Sequence, residues 1–156
     1  MTAMDSMTAT EYWFYHLEAS TMEGVLPGLL EKTLSKGWRA LVKLPEDKLE
    51  AIDTFLWTFR DDSFLPHGRE DEPQAELQPI LLSATTDSAK GFDAVFLLDG
   101  AEVNDMDGVS RAMVMINGRS AEDVQRERGR WKTLKETGAT LSYYQQDERG
   151  RWEKKA

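Results

Sequence analysis

The chain predicts a three-layer α/β domain, in which a mostly parallel central sheet carries helices on both faces. Two features lead to this expectation. Strand-length apolar runs alternate with amphipathic helical segments as far as residue 59, and short apolar strands then cluster between residues 80 and 116.

The first element is residues 11–17, Glu-Tyr-Trp-Phe-Tyr-His-Leu, a dense aromatic run of strand length that reads as a buried central strand. Ser20 with Glu23 three residues later is a capping-box pattern, and Pro27 falls near the first turn. Leu26, Leu29, Leu30 and Leu34 then keep helical spacing until Gly37 supplies a stop. Trp38 to Leu44 forms a second strand, giving a strand-helix-strand unit whose crossover is expected to be parallel and right-handed. Pro45-Glu46-Asp47 opens a second helix, with Leu49, Ile52, Phe55, Leu56 and Phe59 along one side.

From Gly68 to Pro79 the chain is polar, acidic and twice interrupted by proline, which predicts a surface loop. Ile80 to Ala84, Ala94 to Leu98 and Arg111 to Ile116 are short apolar strands. Ser120 with Asp123 caps a last helix that runs to Gly138, followed by a strand at Leu141 to Gln145 and a polar tail carrying Trp152. No internal repeat or linker is visible. Residues 1–156 therefore read as one Rossmann-like domain, with residues 1–9 and 147–156 as flexible ends.

Composition narrows the function. At 156 residues and 40% apolar content, with no apolar stretch near 18 residues, the chain is expected to be one soluble domain. Cysteine is absent, which removes disulfides and thiolate metal sites. The start lacks the basic and apolar regions of a signal peptide, so a cytoplasmic location is the default. A net charge of −9 opposes direct nucleic-acid binding. That charge is uneven: residues 1–118 carry 9 basic against 21 acidic side chains, whereas residues 119–156 carry 10 against 7. An acidic body with a basic end suits an acidic peptide.

No enzyme chemistry assembles from the motifs. The turn after the first strand, Glu18-Ala19-Ser20-Thr21-Met22-Glu23-Gly24, has no glycine-rich phosphate loop and presents two carboxylates where a pyrophosphate would sit. There is no Gly-x-Ser-x-Gly elbow, and His16 and His67 alone make no metal spacing. No cofactor or metal is expected. His16, inside an aromatic strand, reads as a hydrogen-bonded structural histidine. The competing enzymatic reading is a small nucleotide or phosphoester hydrolase using Asp99 or His67 in a polar pocket at the carboxyl ends of the strands.

Two surfaces stand out instead. Between Leu56 and His67 the chain holds Trp57, Phe59, Phe64 and Leu65, breaks at Asp61-Asp62 and stops at Pro66. Large apolar groups there suggest a loop or sheet edge made to be covered, with Phe64, Leu65, Pro66 and His67 as a partner-docking patch and Phe59 returned to the core. On the last helix, Arg128, Trp131, Lys132 and Lys135 fall within a sector of about 100°. The plainer alternative is that Trp131 is core and the cations only solubilise its border; Arg126 and Arg130, on the other side, show that basic residues here need no ligand.

Taken together, the chain resembles the chi subunit of bacterial DNA polymerase III holoenzyme over nearly its whole length. The resemblance rests on Tyr12-Trp13-Phe14-Tyr15, Gly37-Trp38-Arg39-Ala40, Leu56-Trp57-Thr58-Phe59, Ser63-Phe64-Leu65-Pro66-His67 and the Arg126-Glu127-Arg128 helix ending at Gly138. It departs from the family at Trp131, where a tyrosine is expected, and at Gly129 inside a helix. What the resemblance implies is a non-catalytic adaptor joining the clamp-loader complex, through a psi-like subunit, to single-stranded DNA-binding protein. The acidic C-terminal tail of that protein would bind Arg128, Trp131, Lys132 and Lys135, with Trp57 contributing. The patch around Phe64 and Pro66 would take the psi-like subunit or another replisome or repair protein.

Overall fold

A computed structural model describes residues 10–58, 66–70, 72, 75 and 78–156. Phe59, Asp61, Asp62, Ser63, Phe64, Leu65 and the first nine residues, on which several of these expectations fall, lie outside the described residues.

Among the described residues, eight strands form one sheet in the order β3-β4-β2-β5-β6-β1-β7-β8. They are β1 (Glu11–Leu17), β2 (Ala40–Lys43), β3 (Gly68–Arg69), β4 (Ile80–Ser83), β5 (Ala94–Leu97), β6 (Arg111–Asn117), β7 (Thr140–Gln146) and β8 (Trp152–Lys154). Every pairing is parallel except that of β7 with β8. Parallel strands covered on both faces need apolar side chains on both faces. The buried runs Ala40–Val42, Ala94–Leu97 and Ala112–Ile116 meet that need.

Among the described residues, three helices join the strands: α1 (Met22–Ser35), α2 (Glu46–Thr58) and α3 (Ala121–Glu136). Leu26 and Leu30 of α1 and Leu49, Ile52 and Leu56 of α2 pack with Tyr15, Val42, Phe96 and Met115 on one face of the sheet. Val124, Trp131 and Leu134 of α3 pack with Phe14, Val95, Val114 and Ile116 on the other, together with Phe92, Val103 and Val109 from the β5 flanks. Two helix-bearing faces about one sheet make the expected three-layer, Rossmann-like arrangement. β1 and β2 are parallel, as a strand-helix-strand unit requires, but β5 and β6 lie between them.

Several local expectations shift. The N-cap of α1 is Thr21, whose hydroxyl accepts from the Gly24 amide at 3.1 Å. Ser20 is one residue too early because its hydroxyl is committed elsewhere, accepting from Gln146 Nε2 at 2.9 Å. Pro27 sits inside the helix. Gly37 ends it as expected, with φ of +77°, a backbone region that side-chain-bearing residues avoid.

The acidic segment after His67 is not all loop. Gly68–Arg69 pairs with β4 as a short edge strand. The Glu70 carboxylate then accepts from Ser83 Oγ, from the Ala84 amide at 3.2 Å and from Thr85 Oγ1 at 2.9 Å. The segment after Gln146 is a hairpin rather than a free tail. Asp147 accepts from the amides of Arg149 and Arg151 at 2.8 and 2.9 Å, and β8 returns beside β7 with Trp152 edge-on to Tyr15, 5.1 Å between ring centres. Burial pushes the Tyr15 hydroxyl up to about 12, and the neighbouring Tyr144 adds to the shift.

Gln146 joins that hairpin to the turn between β1 and α1. Its amide oxygen accepts from three successive backbone amides, Glu18, Ala19 and Ser20, at 3.1, 3.1 and 3.0 Å. Its amide nitrogen donates to Ser20 Oγ and to the Gly150 carbonyl. With 4% of the residue exposed, no water replaces these bonds when the side chain is removed. Gln146→Ala is expected to lower unfolding free energy by roughly 3 kcal/mol, read as a lower urea midpoint at unchanged slope. Gln145→Ala, which removes one 3.3 Å bond to Glu18, should cost less than about 0.5 kcal/mol.

Candidate functional site

The described cations of α3 divide into two sets. The helix starts at Ser120, whose hydroxyl accepts from the Asp123 amide at 3.2 Å, and Asp123 in turn accepts from the Asn117 amide at 2.7 Å. Arg126 pairs with Asp123 and Glu127, and Arg130 Nε lies 3.0 Å from Glu127 Oε1 while its Nη2 donates to the Ala101 carbonyl at 2.9 Å. Glu127 is 1% exposed, so its charge depends on those two guanidinium groups. These cations hold the helix to its surroundings.

Arg128, Lys132 and Lys135 form the other set. All three are exposed, and none has an ion-pair partner among the described residues. Beside them Trp131 is half-buried, edge-on to Phe14 at 5.2 Å and to Tyr143 at 5.5 Å, with Phe14 stacked on Tyr143 at 6.2 Å. Trp131 is thus part of the core, as the plainer reading held, and also a wall of an open groove. That groove, of about 770 Å³, is bounded by Arg128 and Trp131 from α3, His16 and Glu18 from β1 and its turn, Tyr143 from β7, and Lys155 beyond β8. Lys132 and Lys135 are not part of its lining but follow on the same helix.

Sequence reasoning missed three of these groups. Tyr143 was visible only as part of a strand; its phenol is pushed up by burial and drawn back by the Arg128 guanidinium nearby. Lys155 falls in what reads as a polar tail, yet its amide donates to the Tyr143 carbonyl at 2.7 Å, which carries the β7–β8 pairing past Lys154. His16 is structural, as expected, with Nδ1 2.6 Å from the Tyr143 hydroxyl, but it also faces the groove. Gly118 allows this seating. A Cβ at Gly118 would lie 2.4 Å from the imidazole and from the Leu17 carbonyl oxygen.

The second surface changes more. Trp57 is 48% exposed at the end of α2 and lies against the His67 ring, 4.1 Å between centres. His67 itself is 2% exposed, with Nε2 3.1 Å from Asp53 Oδ1, so it supports the patch from beneath and offers no docking face. Pro66 is partly buried, and Phe64 and Leu65 lie outside the described residues. Trp57 does not join the α3 groove. Its helix packs on one face of the sheet and α3 on the other, and the ring beside Trp57 is that of His67.

Asp99 and His67, the two candidates for hydrolase chemistry, do not share a site. Asp99 follows the carboxyl end of β5, whereas His67 precedes the amino end of β3, and with all intervening pairings parallel these are opposite ends of the sheet. At the β1–α1 turn, the three amides that could cradle a phosphate are occupied by Gln146. Among the described residues no group of three or more His, Asp and Glu could hold a metal, and no helix is long and apolar enough to cross a membrane.

Glu127→Ala is expected to destabilise the fold by roughly 3 kcal/mol in chemical denaturation, since it strands Arg130. Lys132→Ala and Lys135→Ala should each change it by less than about 0.5 kcal/mol.

Residues 9–142 match the family model described as DNA polymerase III chi subunit, HolC. The match covers most of the chain, which therefore belongs to that family, a family of DNA polymerase III accessory subunits. No curated protein matches it.

Proposed function

We propose that this chi-family chain is a non-catalytic adaptor of the DNA replication machinery, working in the cytoplasm. It binds the acidic C-terminal tail of single-stranded DNA-binding protein on α3, and joins that protein to the clamp-loader complex through a psi-like subunit docked near Trp57 and Pro66. Neither contact calls for a metal, a cofactor, direct nucleic-acid binding or a membrane.

The observation that carries this reading is the division of cations on α3. Charges needed by the fold are paired with Asp123 and Glu127, while Arg128, Lys132 and Lys135, beside an aromatic groove, have no ion-pair partner among the described residues. Like charges four residues apart on a helix repel, so Arg128 and Lys132 gain from an anion placed between them. A peptide ending in Phe supplies matching chemistry: its ring has the wall of Trp131 and Tyr143, its α-carboxylate a charge-assisted donor in Arg128, and upstream Asp residues the ridge of Lys132 and Lys135. Phe64 and Leu65 are proposed, from the sequence, to contribute to psi-like subunit docking.

The hydrolase alternative loses its support at the same time. The fold's usual crevice at the carboxyl ends of its strands has the Gln146 amide across its most phosphate-like position.

A synthetic acidic peptide ending in Asp-Phe is expected to bind with micromolar affinity that weakens as salt rises, measured by fluorescence anisotropy. Arg128→Ala and Lys132→Glu should each weaken it about tenfold or more. Trp57→Ala should leave peptide affinity unchanged but reduce capture of a psi-like subunit; loss of peptide binding in Trp57→Ala would reverse the division of the two surfaces.

A further inference from the structure

The floor of the groove holds a hydrogen-bonded relay whose direction is set by one proton. His16 Nε2 lies 2.8 Å from Glu18 Oε1, although the contact is bent away from the N–H axis and makes no aligned hydrogen bond. A carboxylate oxygen that close tolerates an N–H and not a lone pair, so in the neutral ring the proton sits on Nε2. Nδ1 is then an acceptor, and at 2.6 Å it takes the Tyr143 hydroxyl proton. The Tyr143 oxygen is left turning lone pairs toward the space beside Arg128, a poor surface for a carboxylate.

We propose that His16 is a proton-linked binding residue of this groove: a proton taken up on Nδ1 reverses the relay and turns the Tyr143 O–H outward to donate to a peptide carboxylate. The inference rests on the peptide reading above and adds to it. One proton leaves solvent for Nδ1, Nδ1–H donates to the Tyr143 oxygen, and no covalent bond other than N–H changes. On one side the ring is seated against Gly118, at a spacing that leaves no room for a methyl group, and its Nδ1 is held by the Tyr143 hydroxyl. The charged or titratable groups that line the groove around it are Glu18, Tyr143, Arg128 from α3 and Lys155 beyond β8, while the flanking Ile116, Gly118 and Gln145 are uncharged. Protonated His16 offsets Glu18, the carboxylate that would otherwise oppose an acidic ligand here. Binding and protonation therefore favour each other, with the same coupling in both directions.

The test uses the full chain with an N-acetylated acidic peptide ending in Asp-Phe, whose carboxylates stay ionised from pH 6 to 8. Calorimetry in buffers of different ionisation enthalpy should show net proton uptake on binding near neutral pH, with affinity at least about fivefold tighter at pH 6 than at pH 8. Tyr143→Phe keeps the ring packing and removes the relay. It should bind at pH 6 less tightly than wild type at pH 6, with a shallower pH profile that keeps only the Glu18 offset. His16→Gln should be flat, leaving His67 as the chain's only histidine. Wild-type binding that is pH-independent and takes up no proton overturns the linkage while leaving the peptide site intact, and so does a profile that survives in both variants. Absence of peptide binding at every pH overturns the site itself.

Discussion

β1 is hydrogen-bonded on both sides, to β6 and to β7, and from that one constraint the placement of its side chains follows. A strand with partners on both edges cannot slip by one residue without turning every side chain to the opposite face. Phe14 and His16 are thereby fixed on the α3 side, and Trp13, Tyr15 and Leu17 on the side of α1 and α2. The register also sets Phe14 opposite Tyr143 and Val114, so the ring that supports Trp131 is held from two neighbouring strands at once. The groove beside α3 is then a property of the sheet as much as of the helix. Its aromatic wall is packed from both, and for the proposed ligand that would lower the ordering cost of binding.

The same strand explains why a doubly wound architecture serves here without nucleotide chemistry. In this structure backbone amides gather in the turn after β1, just ahead of the α1 cap at Thr21, and there they demand an acceptor. Elsewhere the acceptor can be a phosphate; here it is the Gln146 amide oxygen. An internal acceptor satisfies the donors permanently and also fastens the β7–β8 hairpin, whose continuation supplies Lys155 to the groove. A device that closes one site of the fold thus helps build another.

Much of this was legible in the sequence, and the parts that were not share a cause. The aromatic run of β1, the Ser120 cap, the Gly37 stop and the clustering of Arg128, Trp131 and Lys132 are local signals, set by propensity, capping or helical period within a few residues. What could not be read depends on long-range partners. The edge strand Gly68–Arg69 exists because β4 lies beside it, and β8 because β7 does, although both are too short and polar to announce themselves. His67 looked exposed because Pro66 precedes it, yet Asp53, fourteen residues earlier, draws it inside. Trp57 looked equally close to both surfaces, since chain distance carries no information about which face of a sheet a helix packs on.

That separation by the sheet has a physical consequence for an adaptor. The exposed cations of α3 and the exposed Trp57 of α2 lie across a packed parallel sheet, so partners at the two proposed places would not collide. Nothing in the described geometry makes one surface depend on the other, and free energies at such distant, unconnected sites add. The charge distribution acts in the same direction. An acidic peptide meets an acidic body nearly everywhere except along the basic C-terminal portion, and screening over about 8 to 10 Å at physiological salt confines each effect to its own neighbourhood. In the proposed role, repulsion by the body and attraction by Arg128, Lys132 and Lys135 would therefore select one orientation for an acidic tail and leave the far surface free for a second partner.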